Sequence, residues 1–202
     1  MKYLFDVGAH WGQDSLSKVR DTKDLICMAF EPTPELANNL ISSATDISDR
    51  YKVFTVAISD FDGEADFYLV VGDTGSASLN KFSDDLQTTW PGRTDFVVRD
   101  TIKTKVYRLD TWIKTFAPEI TEIDHLHIDA QGSDLSVLKG LGEMISIVKS
   151  GVVEVPQSEE VKLYKTQHTK KETIDFLEKN NFKITEIKSQ QNEDNIYFQR
   201  NS

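Results

Sequence analysis

The sequence reads Asp6-Val7-Gly8-Ala9-His10-Trp11-Gly12 between an apolar run, residues 3–7, and a helical pattern over residues 15–19. A strand, a glycine-containing loop and a helix in this order are typical of the first unit of a nucleotide-binding α/β fold. Glycines in such a loop let the backbone approach a ligand, and the N-terminus of the helix adds N–H donors. We therefore expect a ligand site between the first strand and the first helix.

Short apolar runs and helical patterns alternate beyond this loop. Strands are predicted over residues 26–30 and 51–58, and Pro34 fits the first turn of a helix between them, where its missing N–H costs nothing. This β-α-β-α-β order predicts a parallel sheet with right-handed crossovers. The predicted fold class is α/β, with a Rossmann-like sheet.

The rest of the chain adds further strands, three helices and one long polar segment. Residues 72–99 are polar, contain several glycines and a proline, and are too long for an ordinary connection, so they form a candidate substrate-binding loop. Strands are predicted over residues 64–71, 103–109, 125–129, 151–155, 182–187 and 195–198. Helices are predicted over residues 110–116 with Asp110 as N-cap, 133–138 and 169–180.

Asp6 bears on which ligand the loop binds. In a dinucleotide-binding loop, G-x-G-x-x-G, the glycines leave room for a pyrophosphate. Here Asp6 replaces the first glycine. Its carboxylate repels a pyrophosphate but attracts the ammonium and sulfonium groups of S-adenosylmethionine. S-adenosylmethionine is therefore favoured over a nicotinamide cofactor, and the alternative is that Gly8 and Gly12 only shape a tight turn.

Glu31 supports the same interpretation. It ends the second predicted strand, 25 residues after Asp6, close to the ~20-residue spacing of the acidic residue that binds ribose hydroxyls in such folds. A carboxylate can accept hydrogen bonds from both ribose hydroxyls, and Pro32 and Pro34 restrict its direction. The alternative is an ordinary solvated carboxylate at a strand end.

Composition narrows the classes of partner. The formal net charge of −10 opposes binding to nucleic acid. No apolar run approaches the ~20 residues that span a bilayer. Cys27 is the only cysteine, which excludes an internal disulfide and favours a reducing, cytoplasmic location.

Motifs along most of the chain resemble those of the FkbM-type methyltransferases, in that family's order. The first is Asp6-Val7-Gly8-Ala9 with Gly12 and Ser15, and the second is Phe30-Glu31-Pro32 with Pro34. The later ones are Ala57-Ile58-Ser59-Asp60 with Gly63 and Phe67-Tyr68, Gly75-Ser76 with Ser78-Leu79, Val106 with Leu109-Asp110-Thr111, Ile128-Asp129-Ala130-Gln131-Gly132-Ser133-Asp134, and Leu138-Lys139-Gly140.

The resemblance implies a class I methyltransferase fold, in which a mostly parallel seven-stranded sheet carries a C-terminal antiparallel hairpin. It implies S-adenosylmethionine as the methyl donor and O-methylation of a sugar or glycan hydroxyl, for example on a deoxyhexose such as rhamnose. It assigns cofactor contacts to a set of loop and strand-end residues: Asp6, Gly8, Ala9, His10, Gly12, Ser15, Glu31, Pro32, Ala57, Ile58 and Asp129.

Two features depart from the family pattern near the expected reaction centre. Gln131 and Asp134 stand where the family usually has two glutamates, and His127 stands where it usually has a lysine. The sequence also resembles the methyltransferase portion of chlorovirus glycan-synthesis proteins. That resemblance is consistent with a single domain, residues 1–202, of a longer protein that also carries glycosyltransferase domains and works in the host cytoplasm.

Asp129 and Glu154 are the candidates for the chemistry, with His127 beside them. Both carboxylates lie at or near strand ends, so we expect them at the carboxyl edge of the sheet. One hypothesis is that they hold Mg²⁺ or Mn²⁺, which would lower the pKa of a bound sugar hydroxyl. Another is that Asp129 or His127 removes the proton directly. Structural alternatives are that Asp129 caps the helix near Ser133 and that Glu154 makes a structural hydrogen bond.

Other side chains carry weaker predictions. His10 could point at the acceptor or pack over its loop, and Trp90 could stack on a sugar ring or anchor the long loop. Trp11 and Trp112 are predicted to pack and His168 to lie at the surface. The run 162–165, together with Lys170 and Lys171, is predicted to be a solvated face. Two other functions stay open: a nicotinamide-dependent sugar oxidoreductase or epimerase, and a non-catalytic S-adenosylmethionine-binding module.

Overall fold

The computed structural model describes residues 1–201, which form a seven-stranded sheet with helices on both faces and a separate three-stranded sheet. The strands are β1 Lys2–Val7, β2 Leu25–Phe30, β3 Tyr51–Phe54, β4 Ala57–Ser59, β5 Gly63–Gly72, β6 Phe96–Arg108, β7 His125–Ile128, β8 Ser150–Pro156, β9 Phe182–Ser189 and β10 Glu193–Arg200. The α-helices are α1 Leu16–Asp21, α2 Pro34–Ser43, α3 Leu86–Thr89, α4 Leu109–Phe116, α5 Asp134–Lys139 and α6 Lys170–Lys179.

The large sheet has the strand order β3-β2-β1-β7-β8-β10-β9. Its first five strands run parallel, whereas β10 is antiparallel to both β8 and β9. The predicted mostly parallel sheet with a C-terminal antiparallel hairpin is confirmed. The order reverses between β1 and β7, and in open α/β sheets ligands bind outside the carboxyl ends of the strands at such a point.

Both faces of this sheet are buried, which explains why β1 and β2 read as continuous apolar runs. On one face Phe5 and Phe30 contact the Trp112 ring of α4, with ring centroids 6.1 and 4.8 Å apart. On the other face Leu4 packs with Val19 of α1. The prediction that Trp112 packs in the core is confirmed, since its side chain is buried.

The predicted third strand, residues 51–58, is confirmed for residues 51–54 but was given too great an extent. The strand β3 ends at Phe54, and the N–H of Val56 donates to the Phe54 carbonyl in a tight turn. The chain then continues as β4, which pairs with β6 in the three-stranded sheet. Apolar residues on both sides of the turn made two strands look like one.

The predicted loop 72–99 is shorter than expected. Residues 96–99 belong to β6 and pair with the end of β5, so the irregular segment covers residues 73–95. It contains a 3₁₀ turn, Thr74–Ser76, and the single-turn helix α3. We call residues 73–95 the long loop.

Three smaller predictions also need correction. Asp110 is not an N-cap, because α4 begins at Leu109, and its carboxylate instead binds the Arg108 guanidinium at 2.9 Å. Trp11 does not pack in the core but is 49% exposed at the tip of its loop. His168 is partly buried, with Nε2 lying 3.0 Å from Lys139 Nζ.

Within residues 1–201, no helix combines the length and hydrophobicity that crossing a bilayer requires.

Candidate active site

A cavity of about 200 Å³ opens at the carboxyl ends of β1, β2 and β7 and is closed on its outer side by the long loop. Its inner wall is made by strand-end residues, among them Val7, Gly8, His10, Phe30, Glu31, Pro32, Val56, Ala57, Ile58 and Asp129. Its outer wall includes Asp73, Thr74, Gly75, Ser76, Ala77, Trp90, Arg93, Phe96, Gln131, Leu163 and Glu193. The cavity therefore joins the predicted cofactor loop to the predicted acceptor loop.

Gly8 lets the loop after β1 lie directly against the end of β7. It has a φ of +84°, and a Cβ at this position would stand 1.8 Å from the carbonyl oxygen of Asp129. Any other residue would push the two strand ends apart. The tight approach forms the floor of the cavity between the two halves of the sheet.

Glu31 is buried and ties the cofactor loop to the second strand. One carboxylate oxygen accepts from the His10 N–H at 2.9 Å, and the other accepts from the Thr33 N–H at 2.8 Å. Burial raises the pKa of Glu31 despite these hydrogen bonds. Because each carboxylate oxygen has two lone pairs, both oxygens can still accept from a ligand hydroxyl. The alternative of a solvated carboxylate is wrong.

The predicted cofactor residues divide into two groups. Gly8, His10, Glu31, Pro32, Ala57, Ile58 and Asp129 line the cavity, whereas Asp6, Ala9, Gly12 and Ser15 do not. The second group supports the loop from below. Ser15 is buried and its hydroxyl lies 2.6 Å from the Tyr51 hydroxyl, while Asp6 is buried under the loop with one carboxylate oxygen unpartnered among residues 1–201.

His127 is held by Asp6 rather than by the cavity. Its Nδ1 lies 2.8 Å from the Asp6 carboxylate, and its side chain is on the α1 side of the sheet, 3.8 Å from Asp14. Burial would lower the pKa of His127, but the hydrogen bond to Asp6 and the charges of nearby aspartates raise it above its ordinary value. The histidine does not line the cavity, so its predicted role as base has no geometric support, and the contact indicates a positioning role.

Asp129, Glu154 and Gln131 meet at the inner end of the cavity. The Gln131 amide nitrogen donates to the Asp129 carboxylate at 2.5 Å and to the Glu154 carboxylate at 3.1 Å. Burial raises the pKa of both carboxyl groups, that of Glu154 well above its ordinary range, and the two are within hydrogen-bonding reach of each other. Two such groups cannot both ionise easily, so Glu154 retains a proton and Asp129 carries the charge. The hydrogen bond from Gln131 to Glu154 agrees with the structural alternative that the sequence analysis gave for Glu154.

Asp129 does not cap the next helix, since Asp134 shapes that turn. The Asp134 carboxylate accepts from the N–H groups of Ala130 and Gly132 at 2.7 and 2.9 Å. Burial, followed by the nearby charge of Asp129, raises the pKa of Asp134 to about 7. The turn leaves Gln131 with a φ of +48°, a conformation that side chains rarely adopt and that points its amide at the two carboxyl groups.

Tyr164 connects Gln131 to the long loop and was missed by sequence reasoning. Its hydroxyl lies 2.7 Å from the Gln131 side-chain oxygen and 2.8 Å from the Ser76 carbonyl. The predicted solvated face over residues 162–165 is therefore wrong, because Leu163 and Tyr164 are buried against the long loop. The only sequence signal was that two apolar residues stand between the lysines.

The acceptor side of the cavity is ordered by aromatic packing and ion pairs. Trp90 is buried edge-to-face on Phe96, with ring centroids 5.7 Å apart, so it anchors the loop while one part of it reaches the cavity. His10 Nε2 lies 2.9 Å from the Thr74 hydroxyl, and burial lowers the pKa of His10, which favours a neutral ring. His10 thus joins the cofactor loop to the long loop.

The donor set at Asp129 and Glu154 does not fit a divalent cation. The Gln131 amide nitrogen, which bears hydrogens and cannot ligate a metal, donates to both carboxylates where an ion would have to bind. Among residues 1–201, no three histidine, cysteine or acidic side chains are grouped as metal ligands. The predicted Mg²⁺ or Mn²⁺ site gains no support from this arrangement.

Comparisons with known proteins identify the family of this chain and one of its relatives. Residues 6–184 match the model of the methyltransferase FkbM domain. The 2-O-methyltransferase NoeI of Sinorhizobium fredii is 28% identical over 182 residues, covering 86% of this chain and 70% of the relative.

Solved structures show the same fold. The precorrin-6y C5,15-methyltransferase of Geobacter metallireducens superposes with a TM-score of 0.53 at 9% identity, over 100% of this chain and 80% of the other. TrmK of M. capricolum, solved with S-adenosyl-homocysteine, superposes with a TM-score of 0.51 at 11% identity, over 99% of this chain and 62% of the other. The sheet is that of the class I methyltransferases, and the chain belongs to the FkbM methyltransferase family.

Proposed function

We propose that this protein transfers a methyl group from S-adenosylmethionine to a hydroxyl group of a sugar or glycan. The observation that carries the proposal is the single cavity that runs from Glu31, at the end of β2, to Asp129, at the end of β7. The name of the relative from Sinorhizobium fredii, a 2-O-methyltransferase, supports a hydroxyl acceptor. The S-adenosyl-homocysteine in TrmK supports this methyl donor for the fold.

The inner wall suits the donor. Glu31 has free lone pairs for ribose hydroxyls, and Gly8 and His10 line the same space. Phe30, Val56 and Ile58 supply apolar surface for an adenine ring. S-adenosylmethionine supplies an electrophilic methyl group whose carbon–sulfur bond breaks with its electron pair going to sulfur.

Asp129 is the proposed base at the other end. It must receive the hydroxyl proton while the acceptor oxygen stands about 3 Å from the methyl carbon. The Gln131 amide keeps its charge in place by donating at 2.5 Å. Glu154 lies behind Asp129, outside the cavity wall, and holds the one proton that the pair carries before methyl transfer. This route needs no metal ion.

The test is methyl transfer to a panel of methyl glycosides with vicinal hydroxyls, followed by mass spectrometry. We expect at least one glycoside to gain one methyl group, and EDTA to leave the rate unchanged. Asp129→Asn should lower kcat by about 10²-fold or more, the usual contribution of a general base, with S-adenosylhomocysteine binding retained. Binding of the cofactor without transfer to any glycoside would instead favour a non-catalytic binding module.

Full dependence of the rate on added Mg²⁺ or Mn²⁺ after EDTA treatment would contradict the metal-free route. It would return Asp129 and Glu154 to the role of metal ligands. A Glu143→Gln variant, altered in an exposed acidic residue, serves as the control for loss of negative charge.

A further inference from the structure

Glu193 brings a carboxylate into the cavity from the C-terminal hairpin. In the antiparallel pair of β8 and β10, Asn195 stands opposite Glu154 and Glu193 stands opposite Pro156. Because alternate residues of a strand share a face, Glu193 lies on the same face as Asn195, two positions farther toward the carboxyl end of β8. It lines the cavity together with Asp73 and Arg93 of the long loop.

The Glu193 carboxylate has no partner among the residues that the structure describes. None of the hydrogen bonds or ion pairs among residues 1–201 involves its side chain, although it is partly buried. The arginine that lines the cavity is already paired, since the Arg93 guanidinium binds Asp73 and Asp95, each at 2.8 Å. A partly buried carboxyl group without donors is costly, and a ligand that supplies donors relieves that cost.

The surroundings define the chemistry of that ligand. Asp73 and Asp129 also line the cavity, and the single arginine there is balanced by two aspartates. A carboxylate or phosphate on the acceptor would meet like charge at close range, whereas hydroxyl groups can donate to Glu193. We propose that Glu193 binds a second hydroxyl of the acceptor, beside the one that is methylated, and so selects neutral sugars over anionic ones. This inference rests on the proposed function.

Glu193 lies outside the part of the chain that matches the family model. The match to the family model ends at residue 184, before the turn that leads into β10. The sequence offers no motif around Glu193, and only the pairing of β10 with β8 brings it to the cavity.

The experiment compares two acceptors of matched shape: the methyl glycoside of the panel that is methylated fastest, and its uronate, in which the hydroxymethyl group is oxidised to a carboxylate. Glu193→Gln and Glu193→Lys are the variants, and Glu186→Gln, exposed on β9 of the same hairpin, is the control. Binding of S-adenosylhomocysteine by calorimetry reports whether each variant folds and retains the cofactor site.

At pH 8, above the raised pKa of Glu193, we expect Glu193→Gln to raise KM for the neutral glycoside about tenfold, the order of a lost hydrogen bond to a charged group, with the KM for S-adenosylmethionine unchanged. Glu193→Lys should shift the ratio of kcat/KM values toward the uronate by about tenfold or more. Unchanged acceptor KM and an unchanged ratio in both variants would overturn the inference alone. Absence of transfer by the unaltered protein to every glycoside would overturn the proposed function and this inference with it.

Discussion

At the scale of single residues, the chemistry depends on which of two neighbouring carboxyl groups holds a proton. Burial raises the pKa of both carboxyl groups, but Asp129 faces the cavity and accepts from the Gln131 amide at 2.5 Å, whereas Glu154 accepts from it at 3.1 Å. An N–H donor stabilises the negative charge that it faces, so the amide directs the proton to Glu154. The group nearer the acceptor is thereby kept ionised.

Gln131→Glu tests this arrangement. The new carboxylate has nearly the same shape but removes the donor and adds a negative charge, so the pKa of Asp129 should rise. We expect the acid limb of the kcat profile to move to higher pH by about one unit or more. Gln190→Glu, in the exposed turn of the C-terminal hairpin, is the matched control. An acid limb at the same pH in Gln131→Glu would show that the amide does not control the base.

Glu31→Ala tests the cofactor end. The change removes the acceptors proposed for the ribose hydroxyls and releases the N–H groups of His10 and Thr33. Calorimetry should show affinity for S-adenosylhomocysteine at least about tenfold lower, since hydrogen bonds to charged groups contribute about 1.5–3 kcal/mol each. Glu35→Ala, exposed in the first turn of α2, should bind normally. Equal affinities of Glu31→Ala and the unaltered protein would remove Glu31 from the cofactor site.

At the scale of elements, the long loop forms an ordered wall because it carries its own small core. Trp90 packs with Phe96, Leu163 and Tyr164, and the Arg93 guanidinium lies 3.7 Å from the centroid of the Phe96 ring. The loop is also bound to the turn after β7, where the Ser78 hydroxyl donates to the Gln131 carbonyl at 2.6 Å. Substitutions in this small core should therefore weaken acceptor binding more than cofactor binding.

Trp90→Ala should lower the free energy of unfolding by about 3 kcal/mol, the cost of removing a buried aromatic side chain, as measured by urea denaturation. The acceptor KM should rise while S-adenosylhomocysteine affinity stays within about twofold, because Trp90 lies on the outer wall of the cavity. Trp11→Ala is the control for stability: it removes a half-exposed ring and should change the unfolding free energy by less than about 0.5 kcal/mol. A loss of cofactor affinity equal to the loss of acceptor affinity would contradict this separation.

At the scale of the whole molecule, the cluster of acidic side chains in and behind the cavity makes stability depend on pH. Burial and neighbouring carboxylates raise the pKa of Asp134 and Glu193 to about 7. The unfolded chain titrates these groups near 4, so the folded protein binds more protons between about pH 4 and 7. These two groups therefore lower stability as pH rises through this window, whereas His125, whose pKa burial lowers to about 4, opposes the fall below about pH 6.5. His127 acts in the same direction as Asp134 and Glu193, since the stabilisation from its raised pKa is present below about pH 6.5 and lost above it.

We expect the Tm of the ligand-free protein to be lower at pH 8 than at pH 5.5. Glu193→Gln removes one of the strained carboxyl groups, so its Tm at pH 8 should exceed that of the unaltered protein by about 2 °C or more. At pH 5.5 the two proteins should differ little. Scanning calorimetry at both pH values measures this, and a Tm that rises from pH 5.5 to pH 8 in the unaltered protein would contradict the linkage.

Local signals predicted much of the fold and one half of the site. Three residues have roles that depend on their neighbours in the chain. Gly8 allows a tight approach of two strand ends, Glu31 follows the end of β2, and Pro34 begins α2. The confirmed parallel strands follow from continuous apolar runs, which any sheet buried on both faces requires. Two predicted segments were too long, the strand over residues 51–58 and the loop over residues 72–99. In the first, one apolar run continues from β3 into β4, and in the second, one polar run continues from the long loop into β6.

By itself, then, the sequence determined the α/β class, the strand–loop–helix at Asp6 to Gly12 and the acidic residues at the strand ends. Each of these features depends on residues that are close together in the chain. Only the tertiary structure decided how the acceptor side is built. Tyr164 reaches Gln131 across 33 residues, and Glu193 enters the cavity because β10 pairs with β8. Such contacts leave no periodicity or spacing in the sequence, since they depend on the pairing of distant strands and on which side chains lose their water when the elements pack.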